Sequence, residues 1–544
     1  MPGDVGWNGE GPRRPMPSVG DSRLTRPPVS GDPASSSDAD DPYSASRIVR
    51  GLAYLVGGKA LTSVAGIGTF VLLVRELPVA QFAAYSILFA LVQLADATTD
   101  IGIGQVLSRF VPVLHVGHRA RELRRLVAIG LCCRVAVLST FLALIWLLTP
   151  LIAPLVSLES WEWALKLYLL VILFRVMAMA LFTVLESMLH QPIAQLGFGA
   201  VTVVRFLLLS TVAWRGELDL EAVILIELAT DAIGCVIMLA GLYGRALRDG
   251  RTGEEGGADW IRDNARRMIR FGLKGYVQHM LIMPYGGGTN RLLVGGTLSG
   301  MEMALFGFAQ SVADLMQRYL PVQLLAGVIR PVLTARYVRD NRFEDLAFAA
   351  NVIFKTNAVA VCLAAAVVAG GGGEMLAFVS AGKYGDGAVG LLLLMCALVL
   401  LSSLRHMLDH VSHAVERNGP LIWSNALIAL SMLPGIALLP ALGVYALPAA
   451  NLVGLAAGCV LLGLLLRRDG FDYRHDLLGL AWIVAAAAMG AAAGRGLALL
   501  HAHWAVCAGA SIAAFLLAVV ASRAWSARER ALLADLVRKL RRRG

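Results

Sequence analysis

At 544 residues, 57% of them apolar and with a mean hydropathy of +0.67, the chain is too hydrophobic for an ordinary soluble enzyme. Its apolar residues come in runs of membrane-spanning length, so the composition points to an all-α polytopic membrane protein. The formal charge of +10 then belongs to basic loops at one membrane face, and no nucleic-acid partner is expected. All seven cysteines (Cys132, Cys133, Cys235, Cys362, Cys396, Cys459, Cys507) lie inside apolar runs, where a thiol behaves as a small hydrophobe; disulfides and a metal site are not expected.

Taken in chain order, residues 1–48 are rich in Pro, Gly, Ser and Asp without an apolar run, and read as a disordered cytoplasmic tail. They lack the apolar core of a secretory signal peptide. About fourteen transmembrane helices follow, at 53–74, 82–108, 124–148, 164–189, 192–214, 220–243, 271–296, 302–327, 346–370, 388–413, 420–440, 443–466, 476–498 and 503–522. An even number puts both termini on one side. Arg119, Arg121, Arg124 and Arg125 follow span 2, and Arg245, Arg248, Arg251, Arg262, Arg266, Arg267 and Arg270 follow span 6. Arg330, Arg336, Arg339 and Arg342 follow span 8, and Arg467, Arg468 and Arg474 follow span 12, whereas the alternate loops are nearly bare. The positive-inside rule therefore places both termini in the cytoplasm and the chain in the cytoplasmic (inner) membrane. The last stretch, 523–544, reads as a basic amphipathic cytoplasmic tail, whose Arg538, Lys539, Arg541, Arg542 and Arg543 would each gain ~1 kcal/mol beside anionic lipid.

Charges inside the spans are costly, at ~2.5 kcal/mol or more each on insertion scales, and so call for a use. Arg134, Arg175, Arg205 and Lys355 fall near mid-membrane by helix rise, Lys59, Lys274 and Arg318 toward the cytoplasmic half, and Arg75 and Arg291 near the outer mouth. Five acids face them: Asp96 and Asp100 in span 2, Glu227 and Asp231 in span 6, Asp314 in span 8. The nine named bases outnumber these acids, which predicts an interior favourable to an anion. Asp96/Asp100 and Glu227/Asp231 are i, i+4 pairs, and two adjacent carboxylates hold a proton, hold a cation or share an arginine. These five acids are the candidates for ion coupling, and Asp314 is also placed to pair with Arg318 one turn on.

A repeat orders these charges. Lys59 and Lys274 are 215 residues apart, Arg75 and Arg291 216, Asp96 and Asp314 218, Arg134 and Lys355 221. Six spans per unit means that the two units enter the membrane in the same sense, as a parallel repeat. The expected plan is an N-lobe at 49–244 (spans 1–6), a cytoplasmic linker at 245–270, a C-lobe at 271–466 (spans 7–12), a central cavity between the six-helix lobes, and two extra C-terminal helices in 467–522. Span 7, FGLKGYVQHMLIMPYGGGTNRLLVGG, is broken by Pro284 and by Gly286, Gly287 and Gly288 between Lys274 and Arg291. Loosened backbone at membrane depth is tolerated where it faces protein or a water-filled cavity, and interrupted helices recur in transporter sites.

LVRELPVAQFAAYSILFALVQLADATTDIGI, with Arg75, Leu77, Pro78, Phe82 and Tyr85, resembles the opening of the polysaccharide (Wzx-like) flippases of the multidrug/oligosaccharidyl-lipid/polysaccharide exporter superfamily. TNRLLVGGTLSGMEMALFGFAQ and VSAGKYGDGAVGLLLLM, the latter with Gly382, Lys383 and Tyr384, carry the same resemblance, which covers about residues 50 to 470. It implies transport of a polyprenyl-diphosphate-linked glycan by alternating access, without catalytic residues, cofactor or metal. The implied partners are the lipid bilayer, a coupling ion (Na+ or H+) and the polymerase or assembly proteins of the polysaccharide. Lys59, Arg75, Arg134, Arg175, Arg205, Lys274, Arg291, Arg318 and Lys355 are the expected substrate-binding set. The run of three glycines at 286–288 departs from the family pattern. A MATE-like drug or cation antiporter and a membrane polysaccharide polymerase or ligase are the alternatives; the first calls for an acidic, aromatic cavity and the second for a large outer loop.

Two local motifs read as structure. GGKALTS at 57–63 lacks the preceding strand and the hydroxyl residue of a phosphate loop, and His406, His410 and His413 around Asp409 match no zinc pattern. The GGGG run at 370–373 reads as an outer turn.

Overall fold

A computed structural model describes residues 45–116, 119–188, 190–246, 260–320, 323, 342–415, 417 and 419–531, with side chains from residue 61 onward except 116, 191, 245 and 246. Contacts divide the chain into two units: Met1–Leu52, whose described part is helical, and Ala53–Gly544, which holds everything below. The described residues form helices and turns and no strand.

The first half of the chain contributes α1 (Ala45–Glu76), α2 (Val79–Thr99), α3 (Ile103–Val116), α4 (Ala120–Leu147), the short α5 (Thr149–Leu155), α6 (Glu162–Ser187), α7 (Gln191–Gln195), α8 (Val201–Trp214) and α9 (Leu220–Gly241). A single π turn, Leu196–Ala200, joins α7 to α8 in one span. The second half contributes α10 (Trp260–Ile282), α11 (Gly287–Thr297), α12 (Gly300–Tyr319), α13 (Phe343–Val379), α14 (Gly385–Ala414), α15 (Gly419–Leu430), α16 (Met432–Ala437), α17 (Leu439–Leu442) and α18 (Ala446–Arg468). Then come α19 (Leu477–Leu499) and α20 (Trp504–Ala521). Among the described residues, eleven helical stretches are long and apolar enough to cross a membrane. The other three expected spans, α1, the interrupted α10–α11 and α12, are helical as well. GGKALTS lies within α1.

Three expected boundaries change. Span 2 was expected to run to residue 108, but α2 stops at Thr99 and α3 sets off anew, because Ile101 and Gly102 take positive φ (41° and 80°). The Asp100 carboxylate then accepts the Gly104 amide at 2.9 Å and caps α3. Residues 260–270, expected as linker, are the first turns of α10 and continuous with span 7; residues 247–259 of that linker lie outside the described set. The glycine run at 370–373 is a kink inside α13, where Gly371 leaves helical geometry, rather than a turn that ends it. Most of the N-terminal tail, the end of span 8 and residues 532–544 of the C-terminal tail lie outside the described residues.

Glycines set how closely the two halves pack. A Cβ on Gly102 would stand 2.2 Å from the Gly272 carbonyl oxygen, so α10 crosses the α2–α3 break at backbone contact. Near the other end of α2, a Cβ on Gly295 would meet Ile87 at 2.8 Å and one on Gly307 would meet Ser86 at 2.4 Å; α2 thus lies against α11 and α12. The last two helices, α19 and α20, pack on each other and on α13, where Gly370, Gly490 and Gly494 close around Ser511.

Beside α13, the segment before α19 forms an aromatic patch in which His475 lies 5.6 Å from Phe354 and 4.6 Å from Tyr473. Burial holds the His475 imidazole down at about 4, against an ordinary 6.5. A depressed histidine favours the folded state fully above pH 6.5, and this contribution is lost as pH falls toward 4, because the unfolded chain takes up the proton first. Melting temperature should therefore fall more steeply between pH 6.5 and 4.5 in the wild type than in His475→Phe; parallel slopes would refute this.

Candidate functional site

Within the first half, one buried cluster joins α6, α8 and α9. A carboxylate at 227 and another at 231 share one face of α9 by helical spacing, and Arg175 of α6 reaches both, at 3.1 Å to Glu227 and 2.8 Å to Asp231. Arg205 of α8 bonds Asp231 and donates to the Thr230 hydroxyl at 3.0 Å. Tyr85 of α2 and Tyr168 donate to the two Glu227 oxygens at 2.9 and 3.0 Å. This cluster is closed: both charges on each side have a partner of opposite sign.

On α4, Arg134 donates to Asp96 at 2.5 Å, to the Asp96 carbonyl at 3.1 Å and to Asp100 at 3.2 Å. In the second half, Arg291 of α11 pairs with Asp314 of α12 at 2.9 Å, donates to Ser311 at 2.9 Å and stacks over Phe89 of α2 at 5.3 Å. Exposure is uneven within these pairs. Arg134 is 3% exposed and Asp96 43%; Arg291 is 0% exposed and Asp314 28%. The guanidiniums sit behind, and the carboxylates line the accessible side.

Span 7 breaks where expected. Pro284 has no amide hydrogen and cannot continue α10, so a 3-10 turn at Met283–Tyr285 and an extended Gly286 (φ −70°, ψ 155°) intervene before α11. The freed carbonyls are taken up internally: Thr289 donates to Met283 O at 2.7 Å and Asn451 to Tyr285 O at 3.4 Å. Beside the break, Arg291 keeps its Nε and Nη1 buried without a hydrogen-bond partner, as does the Asn290 side-chain oxygen.

Arg405 is a buried cation the sequence reading passed over. On α14 it bonds Asp409 at 3.1 Å, Asn425 at 2.6 Å and Ser424. Its signal was an i, i+4 base and acid in an apolar helix, hidden by the histidines around it. His406 contacts Gln317 at 3.1 Å, and among the described residues no group of His, Cys, Asp and Glu is arranged to hold a metal.

Several expected site residues stand elsewhere than anticipated. Lys355 is fully buried on α13, and its ammonium goes to Asp476 at 2.6 Å, Glu529 at 2.8 Å and the Ala524 carbonyl at 3.0 Å. It ties α13 to the start of α19 and to the segment after α20, and its three N–H bonds are thereby taken. The first part of the basic tail is accordingly docked, with Glu529 buried. Arg318 is exposed and does not pair with Asp314, which goes to Arg291 instead. Lys274 is exposed; the Lys59 side chain lies outside the described residues. The repeat of charges keeps its order but not its partners: Arg134 binds Asp96, whereas its mate Lys355 binds nothing near Asp314. The expected interior surplus of base does not hold either, because Arg134, Arg175, Arg205, Arg291 and Arg405 all face carboxylates.

At the end of α1, Arg75 donates to the Phe378 carbonyl at 2.8 Å and lies over the Phe378 ring at 5.3 Å. In return Lys383, from the α13–α14 turn, donates to the carbonyls of Val74 (3.0 Å), Arg75 (2.7 Å) and Leu77 (2.7 Å). Next to it Tyr384 stacks on Phe308 at 5.0 Å and meets Phe82 at 6.2 Å. The two halves are thus locked together at this end by reciprocal cations and an aromatic seal.

Comparison with solved structures gives the same architecture. The chain is similar to a structure titled "Lipid II flippase MurJ, inward closed conformation", with TM-score 0.63 at 10% identity over 85% of this chain and 97% of that one. It is similar also to an inward-facing multidrug resistance MATE family transporter of the MOP superfamily, with TM-score 0.59 at 11% identity over 75% and 94%. No curated protein matches the sequence. A family model described as "Polysaccharide biosynthesis protein" matches residues 48–335, more than half of the chain. The chain belongs to this polysaccharide biosynthesis family of Wzx-like flippases.

Proposed function

We propose that the protein carries a polyprenyl-diphosphate-linked oligosaccharide across the cytoplasmic membrane for polysaccharide export, by alternating access between its two halves. Family membership supports a lipid-linked substrate. The observation that carries the finer reading is Arg291: a fully buried guanidinium beside an interrupted helix, with two nitrogens still lacking an acceptor. A planar fork with open N–H groups suits a phosphate oxygen, and burial strengthens the bond. On this reading the diphosphate enters from the arginine-rich end, taken as cytoplasmic, with Lys59 and Lys274 assigned to its uptake and Arg75 to its release at the other end. A diphosphate reaching Arg291 exchanges with Asp314, and a coupling ion, Na+ or H+, competes with a guanidinium for each candidate carboxylate.

Exchange of a cationic solute is the second reading, favoured by the carboxylates that face the accessible side of the Arg134 and Arg291 pairs. Polysaccharide export in a deletion strain separates the two. Arg291→Ala and Lys59→Ala should each reduce export severalfold at wild-type protein levels; full export by a well-expressed double variant sinks the diphosphate reading. Sensitivity to cationic dyes that appears on deletion, with export intact, supports the second.

A further inference from the structure

The first half of α10 carries Arg262, Arg266, Arg270 and Lys274 at intervals of four residues. That interval advances ~40° round the helix with a rise of ~6 Å per step, so the four cations form a ladder that winds over about a third of the helix circumference. All four are exposed, and among the described residues none has an ion pair or hydrogen bond. Asp263 is the one acid on this stretch. One position back from the ladder, Ile269, Leu273 and Val277 are exposed at the same interval, an apolar stripe beside the charged one. The face opposite is occupied: Met268 and Gly272 are buried, and Gly272 meets Gly102 and Val106 at the α2–α3 break.

We propose that this double stripe is a docking track for the substrate lipid, with the diphosphate stepping along the cations and the isoprenoid tail lying on Ile269, Leu273 and Val277. The proposal rests on the substrate class given above and adds Arg262, Arg266 and Arg270 to it. Two features favour an isoprenoid diphosphate over bulk phospholipid. The ladder runs ~18 Å along the helix, whereas a headgroup layer is only ~5–8 Å thick, so most rungs lie outside any one such layer on a steeply inclined helix. It also lies on the helix that ends at the break before Arg291, whose open nitrogens follow, ~12 Å of helix separating Lys274 from that break.

The test uses the full chain in zwitterionic nanodiscs with farnesyl diphosphate as probe. Replacing Arg262, Arg266, Arg270 and Lys274 by Gln should weaken binding at least tenfold and flatten its salt dependence; the Arg266→Gln/Arg270→Gln pair should give an intermediate loss if the fourfold variant does not fold. Unchanged affinity overturns the track and leaves the substrate class standing. A wild-type chain that binds no farnesyl diphosphate, together with normal export in the deletion strain, overturns the substrate class itself. Phosphatidylglycerol in the disc that abolishes wild-type binding identifies a generic headgroup surface and also overturns the track.

Discussion

Arg175→Met is expected to cost ~3–5 kcal/mol and to leave little monodisperse protein, because it strands buried carboxylates in a low-dielectric interior. Glu227 would keep its two tyrosine donors but only a distant cation, Arg205 at 3.9 Å. Asp231 would keep Arg205 alone. The double variant Arg175→Met/Glu227→Gln removes one charge of each sign and should recover most of the loss, since a neutral amide needs no counter-ion. Glu227→Gln by itself should be mild, with Asp231 still holding both arginines. Size-exclusion profiles after graded heating would measure all three; a single Arg175→Met that melts with the wild type would show that water or lipid headgroups compensate the acids.

The same cluster shows what the sequence made legible. Two carboxylates one turn apart on a buried face must be neutralised by a proton, a cation or a shared arginine, and spacing left these three open; Glu227 and Asp231 take the last, with Arg175 and Arg205, residues the sequence had assigned to substrate. The break in span 7 was equally plain, because proline and consecutive glycines act locally. What spacing could not give was the choice of partner between helices. Asp314 had an arginine one turn away on its own helix, yet it turns to Arg291 on α11, which lies nearer across the packed interface. Lys355 looked like a cation facing a cavity; its partners, Asp476 and Glu529, are more than 120 residues away in sequence, at the start of α19 and in the segment after α20. Arg405 was overlooked although it obeyed the rule applied to the other charges, since the neighbouring histidines suggested a different chemistry.

Lys383→Met is expected to release the contact between the halves at the end of α1. The last carbonyls of a helix have no partner within it and carry the negative end of its dipole, and here one ammonium serves three of them. Hydrogen bonds to a charged group are worth ~1.5–3 kcal/mol each when buried. Lys383 is half-buried, so a total loss of ~2 kcal/mol is the reasonable expectation, about 30-fold in the ratio of closed to open forms. Arg75 would still hold Phe378, and Tyr384 would still meet Phe82 across the halves. The variant should thus open more often rather than lose its fold. Hydrogen exchange is the direct measurement: amides at 74–82 and 380–388 should lose protection, while those of α6 and α9 keep theirs. Lys383→Arg should retain most of the protection, since a guanidinium can also donate to several carbonyls. If transport requires this end to close and reopen in each cycle, Lys383→Met should export more slowly although it binds substrate, and protection at 380–388 unchanged from the wild type would show that the aromatic seal alone keeps the halves together.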